Sequence, residues 1–171
     1  MSFSLFDREE LEQIAKIKET NDRTEEFLNN EREKFNNEIN QLNKTASCKY
    51  NAENAEKIMQ VQLDALTLRQ YFNEQVSFYL NKRIKENNKL KIATQEKIVW
   101  YAMGQSKFNV NGRLTQSQIS NIVDAHTTEI ERSVKLLEVH IEFFRTASKN
   151  LSDLGYSIKN MIEYYNLQLK N

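Results

Sequence analysis

The sequence predicts an all-α protein: long helices folded into a helical hairpin or coiled-coil protomer that associates with further copies of itself. Three observations predict it. The 171 residues include no proline and three glycines, Gly104, Gly112 and Gly155. Sandwiches, barrels and doubly wound sheets need many tight turns, and this chain lacks the residues that make them. Apolar residues make up 39% of the chain, below the usual ~45–50%, so thin apolar seams are expected rather than a thick core. Finally, apolar residues recur on seven-residue grids over long stretches, as in coiled coils.

The first helix is expected from about Leu5 to Leu42. Ser4 serves as N-cap, and Asp7, Glu9 and Glu10 stand in the favourable first turns. Ile14, Leu28, Phe35 and Leu42 fall on one grid, but Asn21 interrupts it, and Thr24, Glu31 and Glu38 occupy intervening seam positions. So thin a stripe predicts a frayed or partner-stabilised arm. Residues 1–50 are therefore read as an acidic helical arm, and 51–171 as the main helical domain. The first break is expected at Asn43–Ser47.

The second helix is expected from Asn54 to Met103. Met59, Leu63, Leu66 and Phe72 begin a mixed apolar face. Val76, Leu80, Ile84, Asn87, Lys91, Thr94 and Ile98 then follow at coiled-coil spacing. The polar residues within this seam either fix register and oligomer number or face a solvated gap; both readings stand. A loop at 104–115 contains Asn111-Gly112, a hairpin-turn signal.

The third helix begins near Thr115 or Ser117 and continues almost to the end. Eleven of fourteen positions on its heptad are apolar, among them Val123, Ile130, Val134, Leu137, Ile141, Phe144, Leu151, Ile158, Ile162 and Tyr165. A second line through Leu136, Val139, Phe143, Ala147, Leu154 and Met161 widens this surface. One intrachain partner covers one seam. The second line calls for another neighbour, so Ile130, Val134, Leu137, Ile141, Phe144, Leu151, Ile158, Ile162 and Tyr165 are the expected oligomerisation residues. Gly155 is a candidate kink.

Several classes are disfavoured. There is no Walker-type phosphate loop and no His-Glu-x-x-His pair. His126 and His140 are too far apart to chelate as a helical pair and read as surface or seam residues. No catalytic residue, metal site or cofactor is expected. A single cysteine, Cys48, fits a reducing cytoplasm. No stretch approaches the ~18 apolar residues of a membrane span, and the first residues do not read as a signal peptide.

Equal numbers of basic and acidic residues hide a regional contrast. Residues 1–40 carry six basic and eleven acidic side chains, whereas 81–113 carry eight basic and two acidic. Lys82, Lys85, Lys89 and Lys97 share about a 120° arc at ~100° per residue. Arg83, Trp100, Tyr101, Lys107, Phe108 and Arg113 lie nearby. Cations neutralise phosphates and flat rings stack on unpaired bases, so these ten residues are the candidate contacts for single-stranded DNA. The competing reading is a solvated lysine face with Trp100 and Tyr101 in a core.

Two stretches carry a family resemblance. One is Lys97-Ile98-Val99-Trp100-Tyr101-Ala102-Met103-Gly104; the other is Leu151-Ser152-Asp153-Leu154-Gly155-Tyr156-Ser157-Ile158-Lys159. Their order and spacing over about 60–170 resemble the UvsY family of recombination mediators from tailed bacteriophages. That resemblance implies an all-helical, ring-forming homo-oligomer without enzymatic activity. It implies binding to single-stranded DNA, to a phage recombinase and to a single-strand DNA-binding protein, in the host cytoplasm if the chain is phage-encoded. Of the family's basic residues before the aromatic pair, only Lys97 has a counterpart here. Gln105 and Leu154 stand where the family has arginine, and the acidic segment 1–50 has no counterpart. The alternative function is a coiled-coil scaffold or adaptor in which the basic segment pairs with the acidic arm. A weaker one is a membrane-surface helical protein.

Overall fold

A computed structural model describes residues 8–103 and 114–169. Three helices account for nearly all of them: α1 (Arg8–Ala46), α2 (Ala55–Ala102) and α3 (Gln116–Leu169). The expected helices are all present. Residues 104–113 of the expected loop, with its hairpin-turn signal and Lys107, Phe108 and Arg113, lie outside the described residues, as does Ser4. No described helix is long and apolar enough to cross a membrane.

Without proline or glycine at the α1–α2 connection, asparagines make the turn. Asn51 Oδ1 accepts from the backbone N–H groups of Glu53 (3.1 Å) and Asn54 (3.0 Å), and Asn54 Oδ1 accepts from Asn51 N–H (2.8 Å). Such side-chain bonds replace the backbone pairing a turn lacks. At the start of α3, Thr115 and Gln118 form a capping box. Gln118 N–H donates to Thr115 Oγ1 (3.3 Å), and Thr115 N–H donates to Gln118 Oε1 (2.9 Å). The third helix runs unbroken through Gly155, where an added Cβ would meet nothing within 4 Å.

The chain divides into two compact units, and each helix contributes to both. Unit 1 comprises Met1–Phe27 and Asn81–Glu138; unit 2 comprises Leu28–Leu80 and Val139–Asn171.

Unit 2 is closed by one phenylalanine from each helix. The ring of Phe72 lies 5.0 Å from Phe35 and 5.2 Å from Phe144, and Phe35 lies 5.9 Å from Phe144. All three are buried. A second cluster joins Ile58, Val61 and Ile158 to Leu42, Tyr50, Leu154, Met161 and Ile162. Tyr165 meets Tyr50 edge-on at 5.1 Å.

Beside the phenylalanines lies a buried polar cluster from all three helices. His140 Nε2–H donates to Glu31 Oε2 at 2.8 Å, and the Tyr79 hydroxyl donates to the same oxygen at 3.1 Å. His140 is fully enclosed, and its Nδ1 has no hydrogen-bond partner. Burial pushes the imidazole below its ordinary value; the bond and charge of Glu31 pull the other way, and Arg32 adds to the lowering. Burial first, and Glu31 second, raise the Tyr79 hydroxyl. Protonating Nδ1 would bury an N–H without an acceptor, which is costly. The imidazole is therefore neutral in the fold.

Unit 1 is held differently. Tyr101, Ile122 and Val123 form a small buried cluster with Leu114 and Ile119. Polar contacts also join α1 and α3. Asn21, itself buried, donates to the Glu129 carbonyl (2.7 Å) and accepts from the Ser133 hydroxyl (2.6 Å). Arg132 meets Asp22 (2.7 Å) and Glu25 (2.6 Å), and its hydrogen bonds to Glu25 and Asp22 raise its pKa.

Two expectations are corrected by this packing. The segment read as a frayed or partner-stabilised arm is a 39-residue helix whose Leu28, Phe35 and Ile39 are buried within the chain. The oligomerisation residues of α3 are core residues of a single chain. Val134, Leu137, Ile141, Phe144, Leu151 and Ile158 are buried, and Ile130, Ile162 and Tyr165 half-buried. The second apolar line is covered in part within the chain: Ala147 is buried and Leu136, Phe143, Leu154 and Met161 half-buried, while Val139 is 59% exposed.

Three outcomes follow from the packing. Phe144→Ala lowers unfolding free energy in urea by about 3–5 kcal/mol; a loss near zero would remove the phenylalanine layer from the account of stability. Gly155→Ala raises it by about 0.5–1 kcal/mol, since helical alanine is favoured and nothing blocks its Cβ; a lowered melting temperature would contradict that. The third concerns pH. His140 is neutral when folded, while in the unfolded chain it takes a proton near pH 6.5, so stability falls as pH drops through that value. The slope from this group is at most about 1.4 kcal/mol per pH unit. Urea titrations at pH 7.5 and 5.5 test it: wild type loses more stability than His140→Gln, and equal losses would exonerate His140.

Candidate nucleic-acid interface on helix α2

Which face of α2 turns outward decides which basic residues reach a ligand. Within unit 1 the inward face passes through Arg83, Leu90, Lys97 and Tyr101, all half-buried or buried. Only Tyr101 and Leu90 are large apolar groups. Of the expected seam residues, Asn87 and Thr94 are half-buried on that face, whereas Ile84, Lys91 and Ile98 point outward, with Ile84 51% and Ile98 43% exposed. The inward face is therefore not the heptad seen in sequence. It is a mixed face about 80° round the helix, satisfied by ion pairs.

Those ion pairs remove two candidate contacts from the outer face. Lys97 pairs with Glu10 of α1, with both side chains largely covered. Its ammonium also lies 5.7 Å from the centre of the Trp100 ring, a cation–π distance. Arg83 reaches Glu138 of α3 at 3.4 Å. Lys89 pairs with Glu86 at 2.7 Å on its own helix and is well exposed. Lys82 and Lys85 are exposed.

The aromatic pair divides. Tyr101 is 2% exposed, and its hydroxyl shares a hydrogen bond of 2.9 Å with His126 Nε2. It is a core residue and is withdrawn as a base-stacking group. Adjacent residues point about 100° apart on a helix, so burying one turns the other out. Trp100 is 36% exposed and meets Tyr101 edge-on at 4.8 Å.

Four of the candidates thus share one outward strip. Lys82, Lys85, Lys89 and Trp100 fall within about a 60° arc, and Ile92 and Val99 add exposed apolar surface beside them. The strip joins cations to a flat ring, the chemistry for a flexible polyanion with exposed bases. Among the described residues no cluster of histidine, cysteine or acidic side chains is suited to hold a metal ion.

Two features of unit 2 were missed by sequence reasoning. One is the Glu31–His140–Tyr79 cluster, whose only signal was a carboxylate on the α1 grid and a histidine beside the α3 seam. The other is a trough of about 880 Å³ between α1 and α2, floored by Phe35, Leu42, Val61, Leu68 and Tyr71 and edged by Lys34, Glu38, Lys57 and Asp64. Its edges mix both charges, so it shows no preference for an anion or a cation.

The chain matches no protein-family model, no curated protein and no solved structure.

Proposed function

We propose that this chain is a non-enzymatic single-stranded DNA-binding protein acting as a recombination mediator. In this reading it holds a DNA strand, loosens a single-strand binding protein from it and presents it to a recombinase. The observation that carries the DNA part is the outward strip of Lys82, Lys85, Lys89 and Trp100 on α2. Exposed lysines engage phosphates irrespective of sequence, and a half-exposed indole offers a stacking plane. The mediator role rests on the resemblance of the 97–104 and 151–159 stretches to the UvsY family. Association of several copies, as in a ring, would multiply weak strand contacts. With the α3 heptad consumed inside the chain, such assembly uses another surface.

The second reading is a scaffold or adaptor without a nucleic-acid role. The Lys97–Glu10 pair favours it, because part of the basic helix is already neutralised by the acidic helix α1.

One titration separates the two. Trp100 is the only tryptophan, so its fluorescence reports directly on the strip. The expected result is quenching by an oligodeoxythymidylate, with binding that weakens as salt rises. Changing Lys82, Lys85 and Lys89 together to alanine lowers affinity and reduces the salt slope by about 2, at ~0.7 per phosphate contact. Glu10→Gln releases Lys97 and strengthens binding. Absence of binding at low salt, or a triple variant with unchanged affinity and slope, would leave the scaffold reading in place.

A further inference from the structure

The basic strip of α2 contains one residue that does not suit a phosphate. Glu96 falls inside the same ~60° arc as Lys82, Lys85, Lys89 and Trp100, and it is exposed. Its position divides the strip in two. The three lysines occupy the first ~11 Å, at ~1.5 Å per residue. Beyond them the strip and its margin carry Ile92, Glu96, Val99 and Trp100.

The carboxylate of Glu96 has no cation to meet among the described residues. Glu86, the other acidic residue between 81 and 113, is matched by Lys89 at 2.7 Å. On a helix the side chains within reach stand three and four residues away. For Glu96 these are Ile92, Ala93, Val99 and Trp100, none of them charged. Lys97, its chain neighbour, pairs with Glu10 instead. An uncompensated carboxylate repels phosphate. A strand along the strip therefore keeps its backbone over the lysines and turns its bases toward the far half, where Trp100 supplies a stacking plane.

A stacked base presents its pairing edge to whatever stands beside the ring. Glu96 is such a neighbour, one turn before Trp100 on the same face. A carboxylate only accepts hydrogen bonds, through two oxygens side by side. Guanine sets two donors side by side, N1–H and the 2-amino group, and so meets both oxygens. Thymine carries its N3–H between two carbonyl oxygens, which a carboxylate repels. Adenine and cytosine each set one amino donor beside a ring-nitrogen acceptor.

We propose that Glu96 reads the base stacked on Trp100 and gives the strip a preference for guanine. The lysines hold a strand of any sequence, and the carboxylate selects among its bases, the usual division between phosphate and base contacts. Base reading by Glu96 rests on the strand binding proposed above.

The test uses the full chain and fluorescein-labelled DNA strands of equal length, read by anisotropy at low salt. One strand is thymidylate throughout; in three others every third base is guanine, adenine or inosine. Wild type binds the guanine strand about fivefold more tightly than the adenine strand, the low end for a bidentate base contact. Comparing two purines removes the difference in stacking between purine and pyrimidine. Inosine, which lacks the 2-amino group, falls between them. Glu96→Gln strengthens binding to thymidylate, because a negative charge is gone, and brings the guanine-to-adenine ratio toward one. Glutamine and glutamate have similar helix propensity, and a ratio taken within each variant is insensitive to lost active protein. Equal affinity of wild type for guanine and adenine strands, or a ratio unchanged in Glu96→Gln, overturns the proposal while strand binding itself stands. If no strand of any composition binds, the DNA reading fails and base reading falls with it.

Discussion

The meeting of Phe35, Phe72 and Phe144 is the contact on which unit 2 depends. Each helix contributes one ring, and all three rings are within 6 Å of each other. A helix as polar as α1 has few apolar groups to spend on docking. Burying a phenylalanine side chain is worth roughly 1.5–3 kcal/mol, so Phe35, with Leu28 and Ile39, supplies much of the apolar attraction that holds α1 in place. That contact also fixes what lies beside it. His140 packs on Phe144 at 4.6 Å and on Tyr79 at 4.5 Å. Glu31, one turn before Phe35, is thereby brought to the imidazole and the phenol. A carboxylate at that depth is tolerable only because two donors converge on one oxygen.

How much of this was legible in the sequence depends on the helix. The α3 heptad was plain, because eleven apolar positions keep one period over most of its length. What covers it was not, because the covering helix carries polar residues where apolar ones are sought. Asn21 and Glu31 read as defects in the α1 stripe. Each is bonded to a residue more than a hundred positions away, Asn21 to Ser133 and Glu31 to His140. A polar residue on a seam reads as destabilising until its partner is known, and one-dimensional periodicity cannot supply a partner at that distance. The buried histidine was illegible for the same reason.

The basic helix shows a different limit. Sequence spacing did not pick out the face of α2 that packs in unit 1. The face that packs within unit 1 carries Arg83 and Lys97, whose charges are met by Glu138 and Glu10. An inward face built on ion pairs has no apolar period, so a search for hydrophobic repeats finds the outward face instead. Of the candidate strand contacts, this left Lys82, Lys85, Lys89 and Trp100 outside and drew Tyr101 inside. The whole chain is electrically balanced, and in unit 1 the balance is partly local, made where acidic α1 meets basic α2.

The outward apolar residues of α2 remain the feature that packing inside one chain leaves unaccounted for. Ile84, Ile92, Ile98 and Val99 are each at least two-fifths exposed. Scattered exposed apolar groups are ordinary, and these lie along two lines of the helix. Within that set, Ile84 and Ile98 stand fourteen residues apart on one line of the helix. Ile92 and Val99 lie instead toward the lysine strip. The exposed apolar groups thus fall into two sets, Ile84 and Ile98 on one side and Ile92 and Val99 beside the lysine strip. Asn88 and Gln95 lie in the interval between them, where the apolar surface is broken by amides. A single continuous apolar surface would favour indiscriminate association. Polar breaks, and Lys91 between Ile84 and Ile98, weaken contact with arbitrary hydrophobic surfaces, so the same residues that thin the apolar face also limit indiscriminate association.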